Sequence, residues 1–380
     1  MKLGIVGNYG HANLGDEALL LGAIELALTD AGIGAADIVV LSDNSADTES
    51  RLAASGCGVR QLRRPFGGNF FKLPLVVKDI YGALEGLDWL VFGGGGLLND
   101  SNRTAIPLFA VICVLAWLRG IRVAWWSVGI GPLNAPVHKR LAAWLLSSSS
   151  FVTVRDEESA RIASGMLARS FKVTPDLAHA LVAPGIIIDS RRPVVAISVI
   201  PYQKARLWFE ENDEAYARYC EKMANVIREL LNTRSGIEVR LFPVNLEQDA
   251  AAIEDILALG EFAAEKRVGR FRPTSVQSLL DDLGGATVVI ATRLHSVVLA
   301  SLAGVSSVTI AYQPKVASYA MELPTGLPCF CIDEFSCEDV IAACVQLMDR
   351  AEATSPILKS ENEERRSRLG RATASWKELT

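Results

Sequence analysis

The sequence repeats one local design: a short apolar run that ends on glycine or a small polar residue, followed by a helical pattern. Residues 2–7 (KLGIVG) lead into a loop at 8–15 and then into an apolar helical period from Asp16 to Leu28. Residues 37–42 (DIVVLS), 87–92 (LDWLVF), 121–128 (IRVAWWSV) and 151–154 (FVTV) repeat the strand-like part. Helices are expected at 104–118, at 136–146 and beyond Asp156, which can cap the last of them. Runs that are apolar throughout suit strands buried on both faces, so the alternation predicts a parallel sheet covered by helices.

The segment 183–193 (APGIIIDSRRP) breaks this pattern, and a linker is expected near 184–192. A second series follows. Its predicted strands are 194–199, 237–242, 287–290 and 307–310; its predicted helices are 213–232, 248–259, 275–283, 294–303 and 338–348. The predicted architecture is α/β, with two Rossmann-like domains facing across a cleft in the GT-B manner. The boundaries are 1–184, 185–360 and a charged helical tail at 361–380 with Trp376 near its end. Open α/β sheets bind ligands beyond the carboxyl ends of their strands. Residues 52–86, including RRPFGGNFFKLP, fit neither series clearly.

A chain of 380 residues has room for two or three domains. Its 38 Lys and Arg against 43 Asp and Glu leave a charge of −5, which excludes a strongly basic footprint for nucleic acid. The seven cysteines (57, 113, 220, 329, 331, 337 and 344) form no C-x-x-C pair. Their odd number and scatter argue for free thiols in a reducing compartment, not a disulfide framework or a zinc site. MKLGIVGN lacks a secretory h-region, so a cytoplasmic location is expected. The most apolar stretch, Ala105–Leu118, is shorter than the roughly 20 residues that span a bilayer. It reads as a buried helix. The rival reading is a peripheral contact of this stretch with the inner face of the membrane; this stretch, or Phe66, Phe70 and Phe71, could also meet a lipid-linked molecule.

Six motifs could carry chemistry. GNYGHANLGDEALL (7–20) joins a strand to a helix without the spacing of a dinucleotide or P-loop fingerprint. Its Asp16 suits a sugar hydroxyl better than a phosphate, or simply caps the helix; Asn13 binds ligand or braces the turn. In FGGGGLLND (92–100), Gly94 and Gly95 would let a ligand approach the backbone, and Asn99 offers polar groups; the plain alternative is a flexible connector. SVGIGPL (127–133) is a weaker signal of the same kind. Arg155, in TVRDEES, suits a carboxylate or phosphate, or pairs with Asp156. Arg293 and His295, in ATRLHSVV, open an apolar helix after a strand, and a histidine there exchanges protons or is a satisfied core residue. Lys315, in AYQPKV, follows the next strand. Together these residues point to a cleft reaction on an anionic small molecule.

GNYGHANLGDEA, GGGGLLND, SVGIGPL, VRDEES, TPDLA (174–178), TRLHSVVLASLAGV and YQPKV occur in the order of, and the chain resembles, the polysaccharide pyruvyl transferase family over residues 4–319. The resemblance implies a GT-B-like fold and transfer of the pyruvyl group of phosphoenolpyruvate to two hydroxyls of a sugar or lipid-linked oligosaccharide. A ketal forms and phosphate is released. It implies catalytic roles for His295 and Asp16, and donor-binding roles for Arg155, Lys315 and Arg293. Phosphoenolpyruvate is then a donor substrate, with no cofactor and no metal called for. Two alternatives stand beside it: a nucleotide-sugar glycosyltransferase on the same architecture, and a non-catalytic glycan-binding subunit.

Overall fold

The computed structural model describes all residues except 60, 64–72, 101–102, 183–191, 205–207, 209–210, 235 and 325. Most of the expected linker, and Phe66, Phe70 and Phe71, lie outside the described residues. The chain divides into two compact units, Met1–Leu181 with Glu364–Thr380, and Val182–Glu363.

The first unit runs β1 (Leu3–Val6), α1 (Leu14–Thr29), β2 (Ile38–Leu41), α2 (Ser45–Ala54), β3 (Gln61–Arg63), α3 (Leu73–Ala83) and β4 (Trp89–Leu98). It continues with α4 (Ala105–Leu118), β5 (Arg122–Ile130), α5 (Pro136–Ser147), β6 (Phe151–Val154), α6 (Glu157–Leu167) and β7 (Lys172–Val173). These strands form one parallel sheet in the order β3-β2-β1-β4-β5-β6-β7. Alternate residues of each strand serve opposite layers. Leu90 and Phe92 of β4 pack with Ile80 of α3, Ile112 of α4 and Leu145 of α5. Trp89 and Val91 pack with Leu20 and Ile24 of α1 on the other face. Burial on both faces is why the strands read as unbroken apolar runs.

The second unit runs β8 (Val194–Ser198), α7 (Asp213–Thr233), β9 (Glu238–Phe242), α8 (Gln248–Leu259), β10 (Val268–Arg270) and α9 (Val276–Gly284). It then runs β11 (Val288–Ala291), α10 (Leu294–Leu302), β12 (Ser307–Ala311), α11 (Pro314–Met321), β13 (Cys329–Cys331) and most of α12 (Cys337–Lys377). Its sheet is also parallel, in the order β10-β9-β8-β11-β12-β13. In both sheets the chain winds outward in one direction and then reverses: at β1/β4 in the first and at β8/β11 in the second. Such switch points leave a crevice at the carboxyl ends of the strands.

Three features differ from the sequence expectation. β4 does not stop at Phe92 but continues through the glycine run to Leu98, with its register shifted against β5 between Gly95 and Leu98. The final helix does not end at Met348: α12 is continuous and carries Pro356 inside it. The segment read as a charged tail is the end of that helix, and its last part belongs to the first unit. The two- and three-residue strands β3, β7, β10 and β13 were not anticipated. All seven cysteines are free.

Candidate functional site

Each switch point has its own constellation. In the first unit, the loop after β1 folds back under Tyr9, whose ring is fully buried and whose hydroxyl donates to the Gly93 carbonyl at 3.0 Å. Burial, reinforced by Asp16 and Glu17, holds that hydroxyl well above the ordinary phenol pKa, so it remains a donor. A Cβ at Gly7 would lie 2.5 Å from the Tyr9 ring, and one at Gly93 would lie 2.4 Å from its hydroxyl. Gly94 and Gly95 have φ of +72° and +77°, and a Cβ on Gly94 would meet Leu177 at 2.9 Å. The glycine run therefore answers packing and backbone demands, and as part of β4 it is not a flexible connector. Gly96, by contrast, is exposed, and its carbonyl accepts from Asn99 Nδ2.

Asn13, not Asp16, caps α1, accepting from the Gly15 amide at 3.0 Å. Asp16 is half-buried, and its Oδ2 accepts from both Asn8 Nδ2 and Asn13 Nδ2 at 2.8 Å. The carboxylate is thus aimed by the loop that precedes it. Glu17, which the sequence marks only as a second acid opposing a phosphate here, is buried; Oε1 accepts from the Gly10 amide at 3.3 Å, and Oε2 has no hydrogen-bond partner among the described residues. Burial pushes its carboxyl up to about 7, with Asp47 and Asp16 adding to the rise against the Gly10 amide and Arg51. A second acid immediately inside a helix start was the available signal.

Arg155 follows β6 with its side chain 9% exposed. Nε donates to Asp156 at 3.1 Å, and Nη1 lies 3.9 Å from the buried Asp176. Asp156 caps α6 through the Ser159 amide at 2.8 Å. Burial alone would raise its carboxyl, but Arg155 and Ser159 outweigh it and hold it below the usual range. A Cβ at Gly129 would lie 2.9 Å from Arg155 Nη2, which explains that glycine. Asp100 closes the neighbouring loop, accepting from the Ala135 amide at 2.9 Å and contacting His138 Nδ1 at 2.6 Å.

In the second unit, Ser198 at the end of β8 receives the Thr292 amide at 3.0 Å and donates to Ser296 at 2.8 Å, tying β8 to the start of α10. Arg293 turns away into a buried ion pair. Its Nε lies 3.0 and 2.8 Å from the two oxygens of Asp249, which is fully buried and also accepts from the Val244 and Asn245 amides. Much of the guanidinium charge is therefore met inside the protein. His295 is half-buried in the first turn of α10. Lys315 is exposed in the first turn of α11, just after Pro314. Their preceding strands, β11 and β12, pair directly.

The same edge holds an aromatic group that sequence reading missed. The Trp208 ring lies 5.3 Å from Tyr312 and 5.9 Å from Tyr202, both edge-on. Its trace was present in the sequence: Tyr-Gln follows the strand run both at 202–203 and at 312–313. Among the described residues no three His, Cys, Asp or Glu side chains gather as metal ligands.

A family model described as polysaccharide pyruvyl transferase matches residues 13–314, a span that includes Asp16, Arg155 and His295 and ends one residue before Lys315. No curated protein matches the chain. Among solved structures, the chain is similar to a putative UDP-N-acetylglucosamine 2-epimerase from Listeria monocytogenes, at 13% identity and TM-score 0.65, covering 98% of this chain and 94% of that one. It is similar to UDP-GlcNAc 2-epimerase from Neisseria meningitidis bound to UDP-GlcNAc, at 13% identity and TM-score 0.63, covering 98% and 97%. It is also similar to a mutant O-GlcNAc transferase from Thermobaculum terrenum, at 14% identity and TM-score 0.51, covering 100% and 66%. At these identities the likeness concerns the fold alone, which is GT-B-like with two parallel sheets.

Proposed function

The chain belongs to the polysaccharide pyruvyl transferase family, and on that premise we propose that it moves the pyruvyl group of phosphoenolpyruvate onto two hydroxyls of a sugar. The acceptor belongs to a cell-surface polysaccharide or its lipid-linked precursor. The observation that carries the reading is the family match over the segments that end at both switch points.

His295 protonates the methylene carbon of the enol phosphate, which turns the central carbon oxocarbenium-like. It stands in the first turn of α10, just after β11. Asp16 orients the attacking sugar hydroxyl through the carboxylate fixed by Asn8 and Asn13. Two donors on one oxygen fix the direction of this carboxylate, so orientation is the contribution assigned to it. Loss of phosphate and attack by the second hydroxyl close the ketal; one hydroxyl proton is balanced by the new methyl hydrogen and the other by the phosphate. Lys315 supplies exposed positive charge for the donor anion. Arg155 does so by exchanging its long contact with Asp176 for a substrate oxygen. Arg293, held by Asp249, keeps the start of α10 in place beside its charge role.

The test is to combine the protein with phosphoenolpyruvate and a panel of glycans and lipid-linked sugars, following phosphate release and acceptor mass. The expected result is phosphate release matched by a pyruvyl ketal on the acceptor, with His295→Ala slowed about 10²–10⁴-fold. Consumption of a nucleotide sugar instead overturns the reading, as does saturable glycan binding that leaves phosphoenolpyruvate intact.

A further inference from the structure

One face of the first unit is apolar where a surface helix should be polar. α4 carries no charged residue along its 14 positions. Its inward positions Ile106, Ile112, Cys113 and Ala116 are buried in the core. Its outward stripe includes Val114, 40% exposed, and Leu118, 73% exposed. An amphipathic helix of a soluble protein puts polar side chains on that face. The neighbouring helices, which pack against α4 on either side, extend the same surface. α5 adds Val137 at 61% and Trp144 at 39%, and α3 adds Tyr81 at 44%. Trp144 meets Trp117 of α4 edge-on at 5.0 Å, and the Arg119 guanidinium lies 3.6 Å over the Tyr81 ring.

Along α4 and α5 the charge has one sign, while α3 carries Lys78 and Asp79 and is followed by Glu85. From residue 101 to residue 155 there is no Asp or Glu, although the chain as a whole carries −5; the same segment holds six Lys and Arg. Arg140 is exposed and falls on the helical stripe shared by Val137 and Trp144. Exposed aliphatic side chains, ring systems with a polar edge, and an excess of cations over acids are what a headgroup region selects. No helix among the described residues is long and apolar enough to cross a bilayer.

We propose that the α3–α4–α5 face of the first unit docks on an anionic phospholipid surface, with Val114, Leu118 and Trp144 entering the interface and Arg119 and Arg140 meeting lipid phosphates. The inference does not rest on the donor chemistry proposed above, and its failure would leave that reading standing. Charge complementarity favours lipid over a second copy of this chain, because two copies joined by this face would bring like charges together.

The test is flotation of the full chain with vesicles of phosphatidylcholine alone, and with vesicles containing phosphatidylglycerol. The expected result is binding to the anionic vesicles, weakened by high salt. The double variant V114D/L118D and the charge reversal Arg140→Glu should each reduce binding about tenfold. Leu259→Asp, at an exposed apolar site in the second unit, should leave it unchanged. The substituted side chains are exposed, so unaltered circular dichroism and melting are expected alongside. Absence of wild-type binding, or binding indifferent to these changes, overturns the proposal. So does a wild-type dimer that V114D/L118D converts to monomer, which would assign the face to a second copy.

Discussion

Glu17 shows what burial does to a single carboxyl. It is 1% exposed, and its acid form is favoured up to about pH 7 against an ordinary value of 4.5. The folded protein therefore keeps a proton that the unfolded chain gives up above about pH 4.5, so stability falls as pH rises through that interval. Between pH 4.5 and 8 this amounts to about 3 kcal/mol. His11 works in the same direction. Its hydrogen bond to Asp43 raises its pKa, and the stability from its charged form is lost as pH rises through that value. Its effect is smaller because the pair is exposed to solvent. Denaturant unfolding between pH 5 and 8 should show wild-type stability declining. Glu17→Gln should flatten most of that decline, and an identical slope in both proteins would contradict this account.

At the scale of elements, the loop before α1 does two jobs that one residue links. Asn13 caps the helix with its side-chain oxygen and holds Asp16 with its nitrogen. Asn13→Ala should cost about 1 kcal/mol in stability and lower turnover. Asn13→Asp should preserve the cap but still lower turnover, because it cannot donate to Asp16; equal turnover in Asn13→Asp and wild type would separate Asp16 from the loop. The strands of both sheets were legible in the sequence because burial on two faces leaves long apolar runs. The short edge strands were not, since two or three residues at a sheet edge carry no periodicity. α11 was hidden by Pro314, which reads as a breaker but occupies the first helical turn, where its missing amide has no cost. The site was legible as residue types at strand ends. What could not be read was pairing across the chain: Asp249 lies 44 positions from Arg293, and Asp176 meets Arg155 only because β6 and β7 are neighbours. Those partners turn two of the expected anion-binding arginines into members of buried ion pairs.

For the molecule as a whole, α12 is the element with the widest reach in sequence. It starts among the residues of the second unit and ends in the core of the first, where Trp376 is fully buried. Its ring meets Trp89 at 5.1 Å and Trp126 at 5.0 Å, both edge-on. Trp376→Ala should cost about 3–5 kcal/mol of first-unit stability, read as a lower unfolding midpoint, while Trp376→Phe should recover part of it. A midpoint unmoved by Trp376→Ala would mean the helix end is dispensable to that core. Function at this scale comes down to whether the chain performs carbon protonation and ketal formation on phosphoenolpyruvate. The most direct measurement is to run the reaction in heavy water with an accepted glycan and analyse the isolated product. The account predicts a ketal whose methyl group carries one deuterium, formed together with free phosphate and suppressed in His295→Ala. A product with no new methyl group, or one that His295→Ala forms at the wild-type rate, would contradict it.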